Sequence, residues 1–435
     1  MPHLLNVTKD LVWNSTGTGT VGRINIITDV DDKTFVADSH VTVIRPLKVD
    51  SRFIWCYIAA PGIQKRIEPD DEKSLVSGTT NQVELNSSAV ITLEVPIPPL
   101  AEQNRIVARV DELMSLCDQL EQQTEDSIAA HQTLVETLLG TLTQSQNAEE
   151  LAQNWNRISD HFDTLFTTEH SIDQLKQTIL QLAVMGKLVP QDPNDEPASV
   201  LLEKIVAEKE RLIKEGKIKK QKPLPEITEE EKPFELPEGW EWCRFASLSN
   251  EIATGPFGSM IHKRDYIKAG VPLINPSHMI NSKIVEDESV TISSEKAHEL
   301  RSYELFDGDI VMARRGEMGR CALVTKRESG WLCGTGSFIL RFHHDLSREF
   351  VLLLFRTDWI RSYLGGKSIG ATMTNLNHGI LNKMPILLPP INEQNRIIGR
   401  VDQLTAICDQ LKTSLAEIQK NQIDLTNALI DQAVG

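Results

Sequence analysis

Polar side chains in three loop segments, all between residues 255 and 378, have the chemistry to bind phosphate groups or the edges of bases. Arg314, Arg315 and Arg320 flank a glycine-containing turn, and guanidinium forks suit both phosphates and guanine edges. The other two segments offer Phe257, Ser259, Lys263 and Arg264, and then Lys367, Ser368, Thr372, Thr374, Asn375 and Asn377. One such segment alone is typical of a solvated loop, whereas three together favour a nucleic-acid-binding surface.

The charge distribution permits such a surface in one part of the chain. The net charge is −16, which argues against a general nucleic-acid binder because counterion release needs a local excess of Lys and Arg. Residues 239–390 nevertheless contain 18 Lys and Arg against 16 Asp and Glu, a net of +2, so the rest of the chain carries −18. The three loop segments therefore lie where the chain is free to approach phosphate.

Motifs that could support catalysis are incomplete. Gly17, Gly19 and Gly22 satisfy the dinucleotide-binding pattern, but a strand-like run follows them where that pattern needs a helix, which favours a hairpin loop. Residues 366–368 resemble the end of a phosphate-binding loop, with Arg361 in place of the required glycine. No local serine, histidine and acid set is present, so we expect a non-catalytic chain without a metal or cofactor of its own.

Length and cysteine usage indicate a multidomain cytoplasmic protein. A chain of 435 residues is expected to form two or three domains. No apolar run approaches the roughly 18 residues that cross a bilayer. The six cysteines show neither a CxxC pair nor zinc spacing, and they are most simply buried thiols in a reducing compartment.

An internal repeat dominates the organisation of the chain. Residues 98–120 return at 389–411 with 15 of 23 positions identical and a constant offset of 291. A period this long indicates that a whole domain was duplicated and then diverged elsewhere, because solenoid repeats are only 20 to 50 residues long. Weaker matches place Asp10 on Asp309 and Gly22 on Gly319, so the globular segments are also expected to be related.

Each copy of the repeat predicts a long helix with one apolar stripe. The apolar residues are spaced by four and three positions, which is the pattern of a helix that packs against another helix. The stripe residues are Ile106, Val110, Leu113, Cys117 and Leu120 in the first copy, and Ile397, Val401, Leu404, Cys408 and Leu411 in the second. Neither helix can bury its stripe alone, and we expect each to pack against its duplicate.

The remaining segments separate into strands, helices and a linker. Residues 1–95 are rich in Val, Ile and Thr and predict short strands. Apolar spacing predicts helices from about 172 to 185 and from 198 to 215, with Gly186 as a C-terminal cap. Residues 217–237 carry charge runs and four prolines, which is typical of a linker.

These features together resemble the DNA-specificity subunit of type I restriction-modification systems. The resemblance rests on the proline-ended strand followed by Glu-Gln and a helix at both repeats, on LKQTILQLAVMGKLV at 175–189 and on LPEGW at 236–240. The fold it implies is α+β, with two target-recognition domains held apart by long antiparallel helices. It divides the chain into a first recognition domain (1–99), a central helical region (100–216), a linker (217–236), a second recognition domain (237–390) and a distal helix (391–435).

The resemblance also implies partners. The family reads a bipartite double-stranded DNA target, while S-adenosylmethionine, ATP and Mg²⁺ serve methyltransferase and restriction subunits, and the duplicated helices would offer docking faces for two methyltransferase subunits. The family's first domain normally opens with its own LPxGW segment, and none precedes Asp10 here. We therefore expect the first domain to lack its amino-terminal half, with Asn14, Thr16, Thr18 and Arg23 as its candidate DNA contacts.

A rival hypothesis is a coiled-coil scaffold that joins proteins and touches no DNA. It predicts that replacing Arg314 and Arg315 with Ala leaves every partner and affinity unchanged. A nucleotide-using enzyme is the third hypothesis, which saturable binding of ATP or S-adenosylmethionine by the isolated chain would support.

Overall fold

The structure is a computed structural model, and it describes all residues except 1–8, 18, 29–36, 69–70, 72, 80–81, 86, 219, 221–222, 318, 367–375 and 435. The chain forms two compact units, unit 1 (residues 1–130) and unit 2 (residues 131–435). Within the described residues, no helix is both long enough and apolar enough to cross a membrane.

Unit 1 is built on a three-stranded antiparallel sheet with β1 in the centre. Leu11 of β1 pairs with Ile26 on one side and Ile44 on the other. The fully buried Trp13 donates from its indole nitrogen to the Gly22 carbonyl oxygen at 2.9 Å, which closes the β1–β2 hairpin. In chain order the elements are β1 (Leu11–Asn14), β2 (Ile24–Ile26), β3 (Val41–Ile44), α1 (Ser51–Ala59), α2 (Pro61–Gln64), β4 (Val76–Thr79), β5 (Gln82–Leu85), α3 (Ser87–Ile91) and the start of α4 (Leu100–Gln144).

The prediction of strands throughout residues 1–95 is wrong for α1, α2 and α3, of which α1 is the longest. The Asp50 side chain accepts a hydrogen bond from the Phe53 backbone nitrogen and caps the first turn of α1. Phe53, Ile54 and Ile58 are buried, and their spacing places them on one helical face. Propensity suggested strands because Ile, Tyr and Trp favour them, but the cap and the packing of this face against the sheet favour the helix.

Unit 2 begins with helices that precede its mixed domain. Helix α7 starts at a capping box formed by Thr168 and Ser171 and is followed by Gly186 at φ +68°, so the predicted glycine cap is confirmed. A Cβ atom at Gly186 would lie 2.3 Å from the Pro237 side chain, which leaves room for glycine alone. After α4, the helices are α5 (Ala148–Ser159), α6 (Phe162–Leu165), α7 (Glu169–Val184) and α8 (Ala198–Lys214).

The mixed domain of unit 2 is centred on a four-stranded antiparallel sheet with the order β14-β13-β16-β7. Two further sheets, β15-β9-β12-β8 and the pair β17-β6, complete the domain with the β10-β11 hairpin. The strands are β6 (Glu241–Arg244), β7 (Ser249–Thr254), β8 (Tyr266–Ile267), β9 (Val271–Ile274), β10 (Met279–Ile280), β11 (Lys283–Ile284), β12 (Thr291–Ile292), β13 (Ile310–Ala313), β14 (Cys321–Leu323), β15 (Leu332–Cys333), β16 (Ser337–Phe342) and β17 (Pro385–Leu388). The helices are α9 (Phe245–Leu248), α10 (Ser294–Glu299), α11 (Arg348–Arg356), α12 (Asp358–Gly366), α13 (His378–Lys383) and α14 (Ile391–Val434).

The duplication predicted from sequence is visible in the two sheets. The strand at the centre of each sheet is preceded by a buried aspartate that pairs with an arginine. Asp10 pairs at 2.7 Å with Arg45, which directly follows β3, and Asp309 pairs at 3.3 Å with Arg341 of β16. Strands β1, β2 and β3 therefore correspond to β13, β14 and β16. Unit 2 adds β7 beside β16, while the described part of unit 1 has three strands in this sheet.

A buried glutamine begins each long helix in the same way. Gln103 donates to the Pro98 carbonyl oxygen at 2.7 Å and accepts from the backbone nitrogen of Asp50, the cap of α1, at 2.9 Å. Gln394 repeats these bonds in unit 2, where it donates to the Pro389 carbonyl oxygen at 2.9 Å. It also accepts from the backbone nitrogen of Ser347, the cap of α11, at 3.4 Å. In both units the same side chain thus connects the proline segment before the long helix to the cap of another helix.

The apolar stripe of the second copy is buried against α7, a partner that the sequence analysis did not predict. Ile397, Val401 and Cys408 are at most 1% exposed, and Leu404 and Leu411 pack beside them. Lys412 pairs with Asp173 at 2.7 Å, and Lys176 of α7 pairs with Asp409. Residue numbers rise along α7 as they fall along α14, so these two helices run antiparallel.

The stripe of the first copy is exposed in unit 1, contrary to the expectation that it is buried. Leu113 and Leu120 are 45% and 54% exposed, Ile106 is 38% exposed, and Cys117 is also exposed, so this thiol is not the buried one that was expected. Val110 is half-buried. The two copies belong to different compact units, and their mutual packing stays a prediction.

Replacing Ile397 with Ala tests the packing of α14 on α7. The residue is fully buried, so we expect the free energy of unfolding to fall by about 2 to 5 kcal/mol in urea denaturation followed by tryptophan fluorescence. Ile418→Ala on the same helix is the control, because Ile418 is 54% exposed and its truncation should cost about 0.5 kcal/mol or less. Equal losses in the two variants would contradict the assignment of the buried face.

Glu393 links the first turn of α14 to the LPEGW segment. Its carboxylate accepts hydrogen bonds from the indole nitrogen of Trp240 at 2.9 Å and from Gln191 at 3.2 Å. The carboxylate is buried, and this burial raises the pKa of Glu393 in spite of the two bonds. Its repeat counterpart, Glu102, is exposed.

The raised pKa of Glu393 predicts a pH dependence of stability. The folded state binds the Glu393 proton more tightly than the unfolded state, so the free energy of unfolding should decrease as pH rises from the ordinary glutamate pKa of about 4.3 through the raised native value. Glu393→Gln should lack this part of the decrease in urea denaturation across that pH window, while Glu102→Gln should retain it. Superimposable pH profiles for Glu393→Gln and the parent chain would refute the prediction.

Candidate nucleic-acid interface

Loops that are distant in sequence converge at one end of the four-stranded sheet of unit 2. Strand β7 ends at Thr254, β13 ends at Ala313 and β16 begins at Ser337, all at this end. Two of the three predicted loop segments therefore start here, and the described end of the third joins them because Leu376 donates from its backbone nitrogen to the Arg314 carbonyl oxygen at 3.0 Å. We call this end, with its loops at 255–259, 314–320, 334–336 and 376–378, the strand-end surface.

Arg314 holds the strand-end surface together. Its side chain donates to the Leu376 carbonyl oxygen at 3.3 Å, and its guanidinium carbon lies 4.9 Å from the centre of the Phe338 ring. Burial, and then the neighbouring charge of Arg315, lowers the pKa of Arg314 below the usual arginine value. Arg314 is therefore half-buried and bonded within the protein, while Arg315 next to it is exposed.

Arg320 lies at the other end of the same hairpin. Its guanidinium pairs with Glu317 at 2.6 Å and donates to the Pro276 carbonyl oxygen at 3.4 Å. The bond from Arg320 lowers the pKa of Glu317, so this carboxylate stays ionised. Gly319, at φ +83°, lets the hairpin turn approach α11, where an added Cβ atom would lie 3.2 Å from the Phe355 carbonyl oxygen.

The first predicted segment presents exposed side chains beside this hairpin. Gly255 donates from its backbone nitrogen to the Ser337 carbonyl oxygen at 2.9 Å, and a Cβ atom there would lie 2.3 Å from the Gly334 carbonyl oxygen. Phe257 is 67% exposed and Ser259 is exposed as well. Lys263 and Arg264 follow in an exposed 3₁₀ turn that leads into β8.

The third predicted segment is only partly described. Asn377 caps α13 by accepting from the Ile380 backbone nitrogen at 3.0 Å, which gives this side chain a structural role. His378 lies 3.2 Å from the Thr254 hydroxyl oxygen and so connects α13 to the end of β7. Lys367, Ser368, Thr372, Thr374 and Asn375 lie outside the described residues.

Unit 1 places its candidate residues at the corresponding end of its own sheet. Asn14 ends β1 and donates to the carbonyl oxygens of Thr16 and Thr20 at 2.9 and 2.8 Å, which orders the hairpin loop. Arg23 donates to the Gly19 carbonyl oxygen at 3.1 Å, and the Thr16 hydroxyl lies 3.0 Å from His40. Thr18 lies outside the described residues. The glycine-rich loop connects the paired strands β1 and β2, which confirms the predicted hairpin loop.

Sequence reasoning missed a group of basic residues beside the strand-end surface. A cleft of unit 2 is lined by Arg320 and by the three basic residues of this group. They are Lys283 on β11, Arg356 at the end of α11 and Arg361 on α12. None belongs to a glycine-rich polar loop, so no local motif singled them out. Only their convergence in the folded domain relates them to the predicted loops.

A sequence model of the family described as "Type I restriction modification DNA specificity domain" matches residues 4–130 and 238–420. The type I restriction enzyme EcoEI specificity subunit of Escherichia coli is 42% identical over 410 residues, which cover 92% of this chain and 68% of that protein. The EcoAI specificity subunit, also of Escherichia coli, is 42% identical over 412 residues, which cover 92% of this chain and 67% of that protein.

A solved structure described as "Structural basis underlying complex assembly and conformational transition of the type I R-M system" matches with a TM-score of 0.52 at 18% identity, covering 98% of this chain and 81% of that one. This likeness supports the α+β fold with a long helix between two domains, as predicted. The fold and the sequence matches define a DNA-recognition component of a restriction-modification system. The chain belongs to the family of type I specificity subunits.

Replacing Gly319 with Ala tests how the hairpin is seated on α11. Positive φ and the close Phe355 carbonyl oxygen should together destabilise the domain by about 1 to 3 kcal/mol in urea denaturation. Gly316→Ala is the matched control, since Gly316 also has positive φ (+81°) but a Cβ atom there meets nothing within 4 Å. The hairpin contact would be refuted if Gly319→Ala cost no more than Gly316→Ala.

Proposed function

We propose that this chain reads a bipartite double-stranded DNA target, with each unit contacting one half-site through the end of its sheet that carries the hairpin loop. The observation that carries the proposal is the convergence of the predicted loops. Residues 255–259, 314–320 and 376–378 are separated in sequence, yet they meet at one sheet end, and the candidates of unit 1 occupy the corresponding end of a related sheet.

The chemistry of the strand-end surface in unit 2 fits DNA. The exposed Arg315 carries a guanidinium fork that can bond to guanine or to a phosphate, and the exposed ring of Phe257 can contact a thymine methyl group. The side chains of Arg314 and Asn377 form hydrogen bonds within the protein, so we assign them the role of holding the loops of this surface in place. Loops that recognise a DNA sequence must be held in a fixed conformation by such supporting contacts.

We assign the catalytic steps to partner subunits. In this chain the thiols of Cys321 and Cys333 are buried, and burial raises the pKa of each to about 12, which makes them poor nucleophiles. S-adenosylmethionine, ATP and Mg²⁺ would then be bound by the methyltransferase and restriction subunits. The repeated helix starts at Gln103 and Gln394 support two similar docking faces, and hence two methyltransferase subunits for each specificity chain in the cytoplasm.

The proposed role of the long helices is to set the distance between half-sites. Helix α4 spans 45 residues, and at about 1.5 Å per residue it would be roughly 67 Å long. A helix of that length can separate two reading surfaces by several base pairs. The unread spacer of the target would then depend on the helices and not on the loops.

Gel-shift measurements on the complex with the matching modification subunit test the proposal. We expect sequence-dependent binding, weakened about tenfold or more by Arg315→Ala, because a charged hydrogen bond to DNA is worth about 1 to 3 kcal/mol. Arg327→Ala is the control, since Arg327 is exposed beyond β14 at the opposite end of the same sheet, where it pairs with Glu286. A scaffold without DNA contact predicts no effect of either substitution.

Mapping of methylated adenines in the source genome provides the complementary readout for this prediction. A two-part motif with a fixed gap is the expected result. A continuous motif would reject bipartite reading even if the complex binds DNA.

A further inference from the structure

A cleft of about 780 Å³ in unit 2 opens beside the strand-end surface and contains an excess of positive charge. Its lining is drawn from α7, the β10–β11 hairpin, the hairpin at 314–320, the α11–α12 junction and α14. The charged residues are Lys176, Lys283, Arg320, Arg356 and Arg361 against Glu317 and Asp409. Five cations thus face two carboxylates.

The two carboxylates neutralise two of the cations. Glu317 pairs with Arg320 at 2.6 Å, and Asp409 pairs with Lys176. Lys283, Arg356 and Arg361 make no side-chain hydrogen bond or ion pair with any residue that the structure describes. The cleft therefore keeps a local charge of about +3 in a chain whose net charge is −16.

The floor of the cleft is apolar, which strengthens the field of these cations. Met279, Cys321 and Phe355 line it and are each at most 5% exposed. Charges over a low-dielectric floor are screened less than charges on an open surface. Burial raises the pKa of the Cys321 thiol to about 12, in keeping with this dry floor.

The backbone holds the rim of the cleft in place. Asn281 and Ser282 have φ of +50° and +59°, the conformation of a tight two-residue turn between β10 and β11. This turn places Lys283 at the rim, while Gly319 seats the hairpin that carries Arg320 against α11. The positions of Lys283 and Arg320 are thus set by these two backbone turns.

We propose that this cleft binds a phosphodiester group of the DNA backbone next to the bases that the strand-end surface reads, which rests on the proposed function. Two guanidinium forks and a lysine supply the donors and the positive charge that phosphate oxygens bind. A free nucleotide fits less well, because the sole aromatic ring of the lining, Phe355, is 1% exposed and offers no face on which a base could stack. The hairpin at 314–320 belongs to both the cleft and the strand-end surface, so one DNA segment can reach both.

Salt dependence of DNA binding by the complex with the modification subunit tests the assignment. The Arg356→Ala/Arg361→Ala double variant should bind about tenfold or more weakly at low salt, and the slope of log K against log salt should be smaller by about one for each phosphate that the variant no longer neutralises. Sequence preference should stay unchanged. Lys283→Ala, at an exposed position, should lower the slope by about one and serves as a second test if the double variant folds poorly.

Arg157→Ala, at an exposed position on α5 of the same unit, is the matched control and should leave affinity and slope unchanged.

Unchanged slopes in all cleft variants would overturn the inference while leaving the proposed function intact. A changed sequence preference would show that these residues contact bases and would overturn the inference. Weakened assembly with the modification subunit would show that the cleft docks a protein and would overturn it as well. The parent complex could instead show saturable binding of phosphate or ATP that the variants lose while their DNA binding persists. This result would overturn the inference and indicate that the cleft binds a free ligand. No sequence-dependent binding by the parent complex would reject the proposed function itself.

Discussion

The buried glutamine at the start of each long helix is the contact on which the architecture of both units depends. Gln394 satisfies a strand-end carbonyl at Pro389 and the backbone nitrogen of the helix cap at Ser347 with one side chain. Gln103 makes the corresponding bonds in unit 1. A buried amide must have its donors and acceptors satisfied, so this geometry fixes the preceding proline segment, the cap and the long helix together.

The fixed helix start has consequences for the strand-end surface at the far end of the domain. Helix α11, whose cap is held by Gln394, packs under Gly319 and carries Arg356 at its carboxyl end. The hairpin with Arg315 and Arg320 is therefore positioned through α11 relative to the long helix. Under the proposed function this rigidity would matter, since a loosely attached loop would lose the register that the helix supplies.

Charge is partitioned in a way that suits an acidic protein that nevertheless recognises DNA. The exposed ion pairs between α7 and α14, such as Lys412 with Asp173, contribute little to stability but match the antiparallel helices to one another. The cations of the cleft, by contrast, lie together beside the strand-end surface and exceed the carboxylates there. Under the proposed function, non-specific attraction to DNA would stay weak over most of the chain, and binding would be directed to the cleft and the strand-end surface.

Several features could be predicted from sequence because they depend on local spacing or on direct repetition. The helix at Ile391–Val434 follows from its apolar stripe, the cap at Gly186 from its position after α7, and the duplication from a constant offset of 291. The three polar loops were found because glycine and clustered donors mark turns. Family membership followed from the same repeats.

Tertiary structure alone decided which side chains are available to act. The sequence could not reveal that Arg314 donates a hydrogen bond to the Leu376 carbonyl oxygen or that Asn377 caps a helix. Nor could it reveal that Arg356 and Arg361 line one cleft with Arg320. Each of these relations depends on how the chain is folded around the residue. Nor could it reveal that α7 buries the stripe of α14, since two helices with suitable apolar faces are equivalent partners until the whole core is packed. The pattern of residues determined the elements and their repetition, and the long-range packing determined their partners and their exposed chemistry.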